Sequence, residues 1–295
     1  MVAHRMAEPD RPTIAADTTV GAVHLTVADL ARSLDYYERA IGLRARERDG
    51  ARVFLGAGGD DLLVLDEEPG AQPVQGHTGL FHFALLLPDR RSLARWLGHA
   101  VRDGVQLSGA SDHLVSEAIY LRDPDGHGIE IYRDRPREEW PRDDDGSYRM
   151  ATLPLDTSDL LGALDGEPAE YEGAPAGTRM GHVHLHVADI PATEAFYSGV
   201  LGFDVTARYG TEATFMSAGG YHHHIGANVW AGRGATPPPP GSAALRHATI
   251  VLPDAAERDR VAGRAADAGH EPEPLDGGVM VRDPSRNALL LVAAR

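Results

Sequence analysis

The chain has 295 residues, and its 28 Lys and Arg against 44 Asp and Glu give a formal net charge of −16. This charge repels phosphate backbones and anionic lipid headgroups, so we expect no nucleic-acid partner and no membrane partner. The chain has no cysteine, which excludes disulfides and cysteine nucleophiles and leaves nitrogen and oxygen atoms as metal ligands. There is no apolar run of membrane-spanning length, and residues 1–19 have no signal-peptide pattern. We predict a flexible arm over residues 1–19 of a cytoplasmic protein that acts on small molecules.

A repeat divides the chain into two similar halves. Three segments recur in the same order: 23–29 at 183–189, 81–89 at 246–254, and 122–124 at 282–284. We predict an N-terminal domain over 20–134 and a C-terminal domain over 179–295. The intervening linker, 135–178, is rich in Pro, Gly and acidic residues and carries one short helical turn.

Each half divides again into two similar modules. An apolar strand around His24 leads through Asp29, a typical helix N-cap, into an amphipathic helix that Gly42 can close. Residues 189–202 repeat this design. Further strand-like runs, separated by turn sequences, lie at 52–55, 61–65, 118–122 and 128–132. Four β-α-β-β-β modules of this kind fit the chain.

Three polar residues lie within otherwise apolar strands: His24, His82 and Glu130. Burial of an ionised carboxylate is costly unless the group is paired or binds a cation. A single histidine in such a strand is more often a satisfied core residue than a ligand. Two imidazoles and a carboxylate from separate strands can instead occupy one face of an octahedral cation, as in non-heme Fe(II) sites. We therefore predict these three residues as a metal site.

The segment from His113 to Glu130 resembles the extradiol ring-cleaving dioxygenase pattern of the vicinal oxygen chelate superfamily. Its matching elements are, in order, His113, Ile119, Tyr120, Asp123, Pro124, Gly126 and Glu130. One departure is Ser111, since the pattern prefers Gly, Asn, Thr or an aliphatic residue two positions before the histidine. The resemblance implies an α+β fold in which the four modules pair into two domains, each an open mixed-sheet barrel around a cleft.

For the site, the resemblance implies His24, His82 and Glu130 as ligands of Fe(II), with Mn(II) as the alternative metal. It implies His113 as a hydrogen-bonding residue near the substrate oxygens and Tyr120 as its neighbour. The implied activity is that of an extradiol dioxygenase, an oxidoreductase of aromatic compound catabolism that cleaves a catechol-like aromatic diol with O₂. A homo-oligomer is a further expectation from the superfamily.

The second half departs from this pattern. His184 and His247 remain there, but Leu290 stands where Glu130 stands in the first half. The run 222–224, three consecutive histidines, offers a replacement ligand, so a second or alternative metal site in this half stays open. For the acid/base histidine that the family uses, the nearest candidate is His77, which a loop position explains equally well.

Two other functions stay open with the same fold. A glyoxalase-like lyase or isomerase would use a divalent metal without O₂, and usually takes a second carboxylate from the last strand of module one. That strand reads Leu62-Leu63-Val64-Leu65, flanked by Asp61 and Asp66. The other alternative is a metal-free protein that binds an aromatic compound, as resistance-type members of the superfamily do.

Overall fold

The computed structural model describes residues 11–275 and 277–294, which form an α+β fold of four β-α-β-β-β modules. Of the predicted N-terminal arm, residues 1–10 lie outside the described residues. The remainder of the arm packs on module three, where Ile14 is buried and its N–H donates to the Gly202 carbonyl at 3.0 Å. Within the described ranges, no helix is both long and apolar enough to cross a bilayer.

Modules one and two have the predicted order of elements. The strands of module one are β1 (Thr19–Val27), β2 (Arg44–Asp49), β3 (Arg52–Gly56), β4 (Asp61–Glu67) and the short β5 (Gln72–Pro73). Its helix α1 (Leu30–Tyr36) continues as a π-helical segment, Tyr37–Ile41. Module two consists of β6 (Gly79–Leu86), α2 (Arg90–Arg102), β7 (Leu107–Asp112), β8 (Ser116–Arg122) and β9 (Gly128–Asp134).

The segment between the halves carries little regular structure but is firmly attached. It contains a 3-10 turn, Arg137–Glu139, a short strand β10 (Leu153–Pro154) and a helix α3 (Thr157–Gly162). Strand β10 pairs with β7, and α3 packs against α2. Leu160 of α3 is fully buried, so this segment is part of the folded body.

Modules three and four repeat the plan. The elements of module three are β11 (Arg179–His186), α4 (Ile190–Glu194) with a π-helical continuation over Ala195–Leu201, β12 (Asp204–Tyr209), β13 (Ala213–Ser217), β14 (Ile225–Asn228) and the short β15 (Ser242–Ala243). Module four consists of β16 (Leu245–Leu252), α5 (Ala255–Asp267), β17 (Glu273–Leu275), β18 (Gly278–Arg282) and β19 (Ala288–Ala293).

The predicted caps explain where the repeated helices begin and end. The Asp29 side chain accepts a hydrogen bond from the Arg32 N–H, and Asp189 accepts one from the Ala192 N–H. Gly42 adopts a φ of 85° just after the first helix, in the left-handed region that glycine tolerates best. Local sequence chemistry therefore fixes both helices.

The sheets join modules from different halves. In the described chain, one sheet has eight strands in the order β17-β18-β19-β16-β1-β4-β3-β2, and a second has nine in the order β10-β7-β8-β9-β6-β11-β14-β13-β12. The first combines modules one and four through the antiparallel pair β1 and β16, and the second combines modules two and three through β6 and β11. Each sheet thus contains strands from both sides of the linker.

Contacts between turn and helix connect the modules within each half. Tyr37 donates to the Asp123 carboxylate at 2.9 Å, and Tyr197 donates to Asp283 at 3.2 Å. These aspartates are the central residues of the repeated Arg-Asp-Pro motif. The motif therefore recurs because its carboxylate anchors the helix of the preceding module.

Along β1 and β11, the central strands of the two sheets, residues that face the apolar core alternate with residues that face the opposite side of the sheet. Val23, Leu25 and Val183 are fully buried in one continuous apolar core, which also contains Trp96 of α2. Because successive strand residues point to opposite faces, the histidines between these apolar residues project from the other face of each sheet. In β11 this face carries three histidines in succession, His182, His184 and His186.

Candidate metal centre and substrate cavity

Three strands of the nine-stranded sheet bring His82, Glu130 and His182 together. Strand β9 runs parallel to β6 and places Glu130 beside Ala84, while β11 runs antiparallel to β6 and places His182 opposite the same residue. The Oε2 atom of Glu130 lies 3.0 Å from His82 Nε2 and 3.3 Å from His182 Nε2. One ligand atom from each residue falls within 4.8 Å of the others, the proximity required for binding one cation.

The chemistry of this group fits a divalent metal. Glu130 is 3% exposed, His82 5% and His182 1%, so a carboxylate and two imidazoles share a nearly dry site. Burial raises the pKa of Glu130, but the adjacent His182 and His82 outweigh burial and hold this pKa well below its usual range. Among the described residues, His182 Nδ1 has no hydrogen-bond partner. Two imidazoles and one carboxylate are ligands that iron, manganese and zinc all accept.

The predicted ligand His24 lies outside this group. It occupies β1 of the eight-stranded sheet, where it pairs with His247 of β16 and the two rings stack with centroids 3.9 Å apart. The structure thus brings together two of the three predicted ligands, and His182 stands where His24 was expected. Since β6 pairs with β11, the histidine nearest the His82 and Glu130 pair comes from module three.

Among the described residues, the other histidines of the second half do not come together as a further group of three metal-ligating side chains. Among residues 11–275 and 277–294, the group of His82, Glu130 and His182 is the one that converges as metal ligands. His184 belongs to the nine-stranded sheet, and Gly226 of β14 lets its ring approach, because a Cβ there would lie 2.9 Å from His184 Cγ. His247 belongs to the other sheet. His77 is half-buried and contacts the Thr236 carbonyl at 3.1 Å.

His113 and Tyr120 form a hydrogen-bonded pair beside the group. His113 Nδ1 lies 2.6 Å from the Ala151 carbonyl, to which it must donate, and Nε2 lies 2.6 Å from the Tyr120 hydroxyl. In a neutral ring Nε2 is then an acceptor, so the tyrosine hydroxyl donates to it. Burial and the nearby Glu130 carboxylate raise the pKa of Tyr120 well above its usual value.

A buried chain of polar groups supports another histidine. Asp134 Oδ1 lies 2.8 Å from His222 Nε2, and His222 Nδ1 lies 2.8 Å from His223 Nδ1. If Asp134 is ionised and both rings are neutral, His222 donates to Asp134 and accepts from His223, which leaves His223 Nε2 with a lone pair. The His223 ring packs on His182, with centroids 4.1 Å apart. The histidine run therefore contributes a neighbour of the metal group.

These groups open onto a cavity of about 330 Å³. His82, Glu130, His113, Tyr120, His184 and His223 contribute polar lining. Aromatic lining comes from Phe81, Phe215 and Trp230, and the segment 143–152 forms part of the wall with residues including Tyr148 and Met150. A segment predicted as a linker thus shapes the cavity.

Sequence reasoning did not single out His182 as a candidate ligand, although a signal for it was present. The repeat drew attention to His24 and His184, which occupy equivalent positions in the two halves. His182 aligns with Ala22 and therefore lacks a counterpart in the first half. In a duplicated chain, a functional residue can be one that differs between the two copies. The available clue was that His182 and His184 are two residues apart and therefore lie on the same face of one strand.

Known proteins provide independent evidence on the family. The family model for the Glyoxalase/Bleomycin resistance protein/Dioxygenase superfamily matches residues 19–131 and again 179–291. A catechol-2,3-dioxygenase of Bacillus subtilis (strain 168) is 44% identical over 282 residues, which cover 94% of this chain and 98% of that protein.

Two solved structures share the fold. A dioxygenase candidate from Bacillus subtilis has a TM-score of 0.65 at 14% identity, covering 96% of this chain and 86% of that chain. Glyoxalase I from Zea mays has a TM-score of 0.55 at 17% identity, covering 94% and 92%. The repeated family match and the 44% identity over 94% of the chain show that it belongs to the Glyoxalase/Bleomycin resistance protein/Dioxygenase superfamily.

Proposed function

We propose that the protein is an Fe(II)-dependent extradiol dioxygenase that cleaves a catechol-like aromatic diol with O₂. The observation that carries the proposal is the convergence of His82, His182 and Glu130, of which His82 and Glu130 line a cavity with aromatic walls. The similarity to a catechol-2,3-dioxygenase over nearly the whole chain supports the same activity. Mn(II) is the alternative metal, because hard nitrogen and oxygen sites accept both ions.

In this proposal His82, His182 and Glu130 would hold the metal. The metal, when bound, would supply the Lewis-acid and redox chemistry that activates the diol and O₂. Both oxygen atoms of O₂ enter the ring-opened product, so the reaction needs no external reductant. The aromatic lining, Phe81, Phe215 and Trp230, positions the ring and excludes water.

The remaining polar residues of the cavity hold and move protons. The Tyr120 hydroxyl donates to His113 Nε2, which fixes the direction of the hydroxyl beside Glu130. His223 keeps a lone pair on Nε2 as long as His222 accepts from its Nδ1. A proton from a diol hydroxyl can be accepted at His223 Nε2, so diol binding and deprotonation occur in the same cavity.

The donor set favours this activity over a glyoxalase-like reaction. The resemblance assigns to that chemistry a second carboxylate from the last strand of module one, but that strand, β4, lies in the eight-stranded sheet, apart from His82 and Glu130. In the nine-stranded sheet the corresponding strand of module three is β14, which reads Ile225-Gly226-Ala227-Asn228 and carries no carboxylate. The group within reach of the metal position contains one carboxylate, that of Glu130.

The test is anaerobic loading with Fe(II), followed by catechol and air, with O₂ uptake and yellow ring-fission product measured together. We expect one O₂ consumed per diol. Glu130→Gln should retain no more than about 1% of the rate, because loss of a metal ligand removes several kcal/mol of metal catalysis. Glu212→Gln, with the same change of charge on an exposed residue, is the control. Absence of O₂ uptake with catechol, 3-methylcatechol and 4-methylcatechol in the iron-loaded protein would contradict the proposal.

A further inference from the structure

The charged residues around the cavity are few and already paired. The sequence contains no lysine, so arginine is the only permanently charged cationic side chain available. Among the described residues that line the cavity, the one arginine is Arg208 of β12, whose side chain is 56% exposed at the rim. A charged substrate group would have to find its partner there.

Arg208 is occupied by a carboxylate of the protein itself. Its Nε lies 2.7 Å from Glu194 Oε1, and a second guanidinium nitrogen lies 2.8 Å from Oε2, which is the bidentate geometry of a strong arginine–carboxylate pair. Thr214 also donates to Glu194 at 2.8 Å and holds the carboxylate in place. The guanidinium nitrogens of Arg208 that could bind a substrate carboxylate are therefore already bound to Glu194.

The other rim charge is negative. Asp143 lines the cavity with a side chain that is 50% exposed, and it pairs with Arg149 at 2.8 Å. The rest of the outer wall comes from aromatic and small side chains, including Phe215 and Trp230. A ring carboxylate placed at this outer wall, away from the proposed metal position, leaves water without gaining an opposite charge, which is unfavourable.

We propose that this cavity selects diols whose ring substituents carry no charge, and that Glu194 determines this specificity by occupying Arg208. The inference names the substrate class for the proposed function and rests on it. It predicts that a carboxylate on the ring is rejected because of its charge and not because of its size.

The test compares 3,4-dihydroxybenzamide with 3,4-dihydroxybenzoate, which have nearly the same shape and differ in charge. Dissociation constants are measured by calorimetry on the Fe(II)-loaded protein without O₂, and kcat/KM is measured with O₂. We expect the wild type to favour the amide by about 30-fold or more in both measurements. Equal affinity for the two diols would overturn the inference.

The variant Glu194→Gln tests the mechanism of selection. Glutamine keeps an acceptor oxygen for Thr214 but removes the bidentate carboxylate from Arg208, whose other acidic neighbour is the exposed Asp145. The preference for the amide should therefore narrow at least about fivefold, because the benzoate should bind and react better. Glu212→Gln, on the turn that follows β12, removes the same charge from an exposed residue and should keep the wild-type ratio. An unchanged ratio in Glu194→Gln would overturn the role assigned to Glu194.

The two measurements separate this inference from the proposed function. Binding that favours the amide without any cleavage would contradict the dioxygenase activity and leave the charge selection supported. Cleavage of both diols at equal rates would support the activity and contradict the selection. Absence of binding of either diol would contradict both.

Discussion

His182 Nε2 lies 3.3 Å from Glu130 Oε2, although 52 residues separate them along the chain. This contact crosses the boundary between the two halves, since Glu130 ends module two and His182 begins module three. It defines the site as a product of both halves of the chain.

The first prediction concerns which histidine binds metal. Loss of a residue that only hydrogen-bonds to a metal ligand lowers metal affinity by roughly 10- to 100-fold. His182→Gln should lower metal affinity by more than this, because it removes a ligand. His24→Gln should retain wild-type metal content, because its side chain stacks on His247 in the other sheet. Metal analysis after desalting checks both variants. Retention of metal by His182→Gln with loss from His24→Gln would contradict the assignment.

The second prediction concerns Tyr120. Removal of its hydroxyl in Tyr120→Phe should lower kcat/KM by roughly 100-fold, the usual contribution of a positioned proton-transfer group, with metal content unchanged. His113 would lose the donor that faces its Nε2. Tyr36→Phe is a matched control, because the Tyr36 hydroxyl has no hydrogen-bond partner among the described residues. Metal loss in Tyr120→Phe would show a structural role.

The third prediction concerns Asp134 as a positioning residue. Asp134→Leu should change the tautomers of His222 and His223, since the carboxylate that accepts from His222 is gone. Asp134→Asn keeps an acceptor oxygen and should retain them. Nitrogen-15 NMR of the Zn(II)-loaded protein reads the tautomers directly, with His222→Gln and His223→Gln for assignment. Unchanged ring-nitrogen shifts in Asp134→Leu would contradict the role.

The fourth prediction concerns the pH dependence of stability at His24. Burial, followed by the neighbouring His247, Arg52 and Arg246, lowers the pKa of His24 to about 3. Between that value and about 6.5, the unfolded chain binds a proton at His24 that the folded chain does not bind. The contribution of His24 to folding is thus fully present above pH 6.5 and is lost as the pH falls toward 3.

Thermal unfolding measured between pH 7 and pH 4 checks this prediction. The wild-type melting temperature should fall more steeply with decreasing pH than that of His24→Gln, and the difference isolates His24 from the other buried histidines. Parallel curves for the two proteins would contradict the shift.

The local elements could be predicted because their determinants lie within a few residues. Asp29 and Gly42 cap the first helix as the sequence indicated, and the alternation of apolar residues identified the strands. The family resemblance was also confirmed. His82 and Glu130 belong to one module, so the sequence pattern of that module was sufficient to suggest their proximity.

The pairing between modules could not be predicted in the same way. All four modules present similar apolar strand patterns, so local sequence does not indicate whether β6 pairs with β1 or with β11. That choice depends on how the faces of all four modules pack together, which is a property of the whole chain. His182 was missed for this reason, since its relation to Glu130 exists only after β6 and β11 pair.

The sheet pairing across the two halves has an evolutionary consequence. Each sheet joins a first module from one half to a second module from the other, as two separate copies of a half-length chain would if they assembled by exchanging modules. Symmetry would make the two centres of such an assembly identical, and every substitution would alter both. A single chain that carries both halves is free of that symmetry. The positions equivalent to His182 and Glu130 in the other sheet are Ala22 and Leu290, so one sheet can carry the polar group while the other does not.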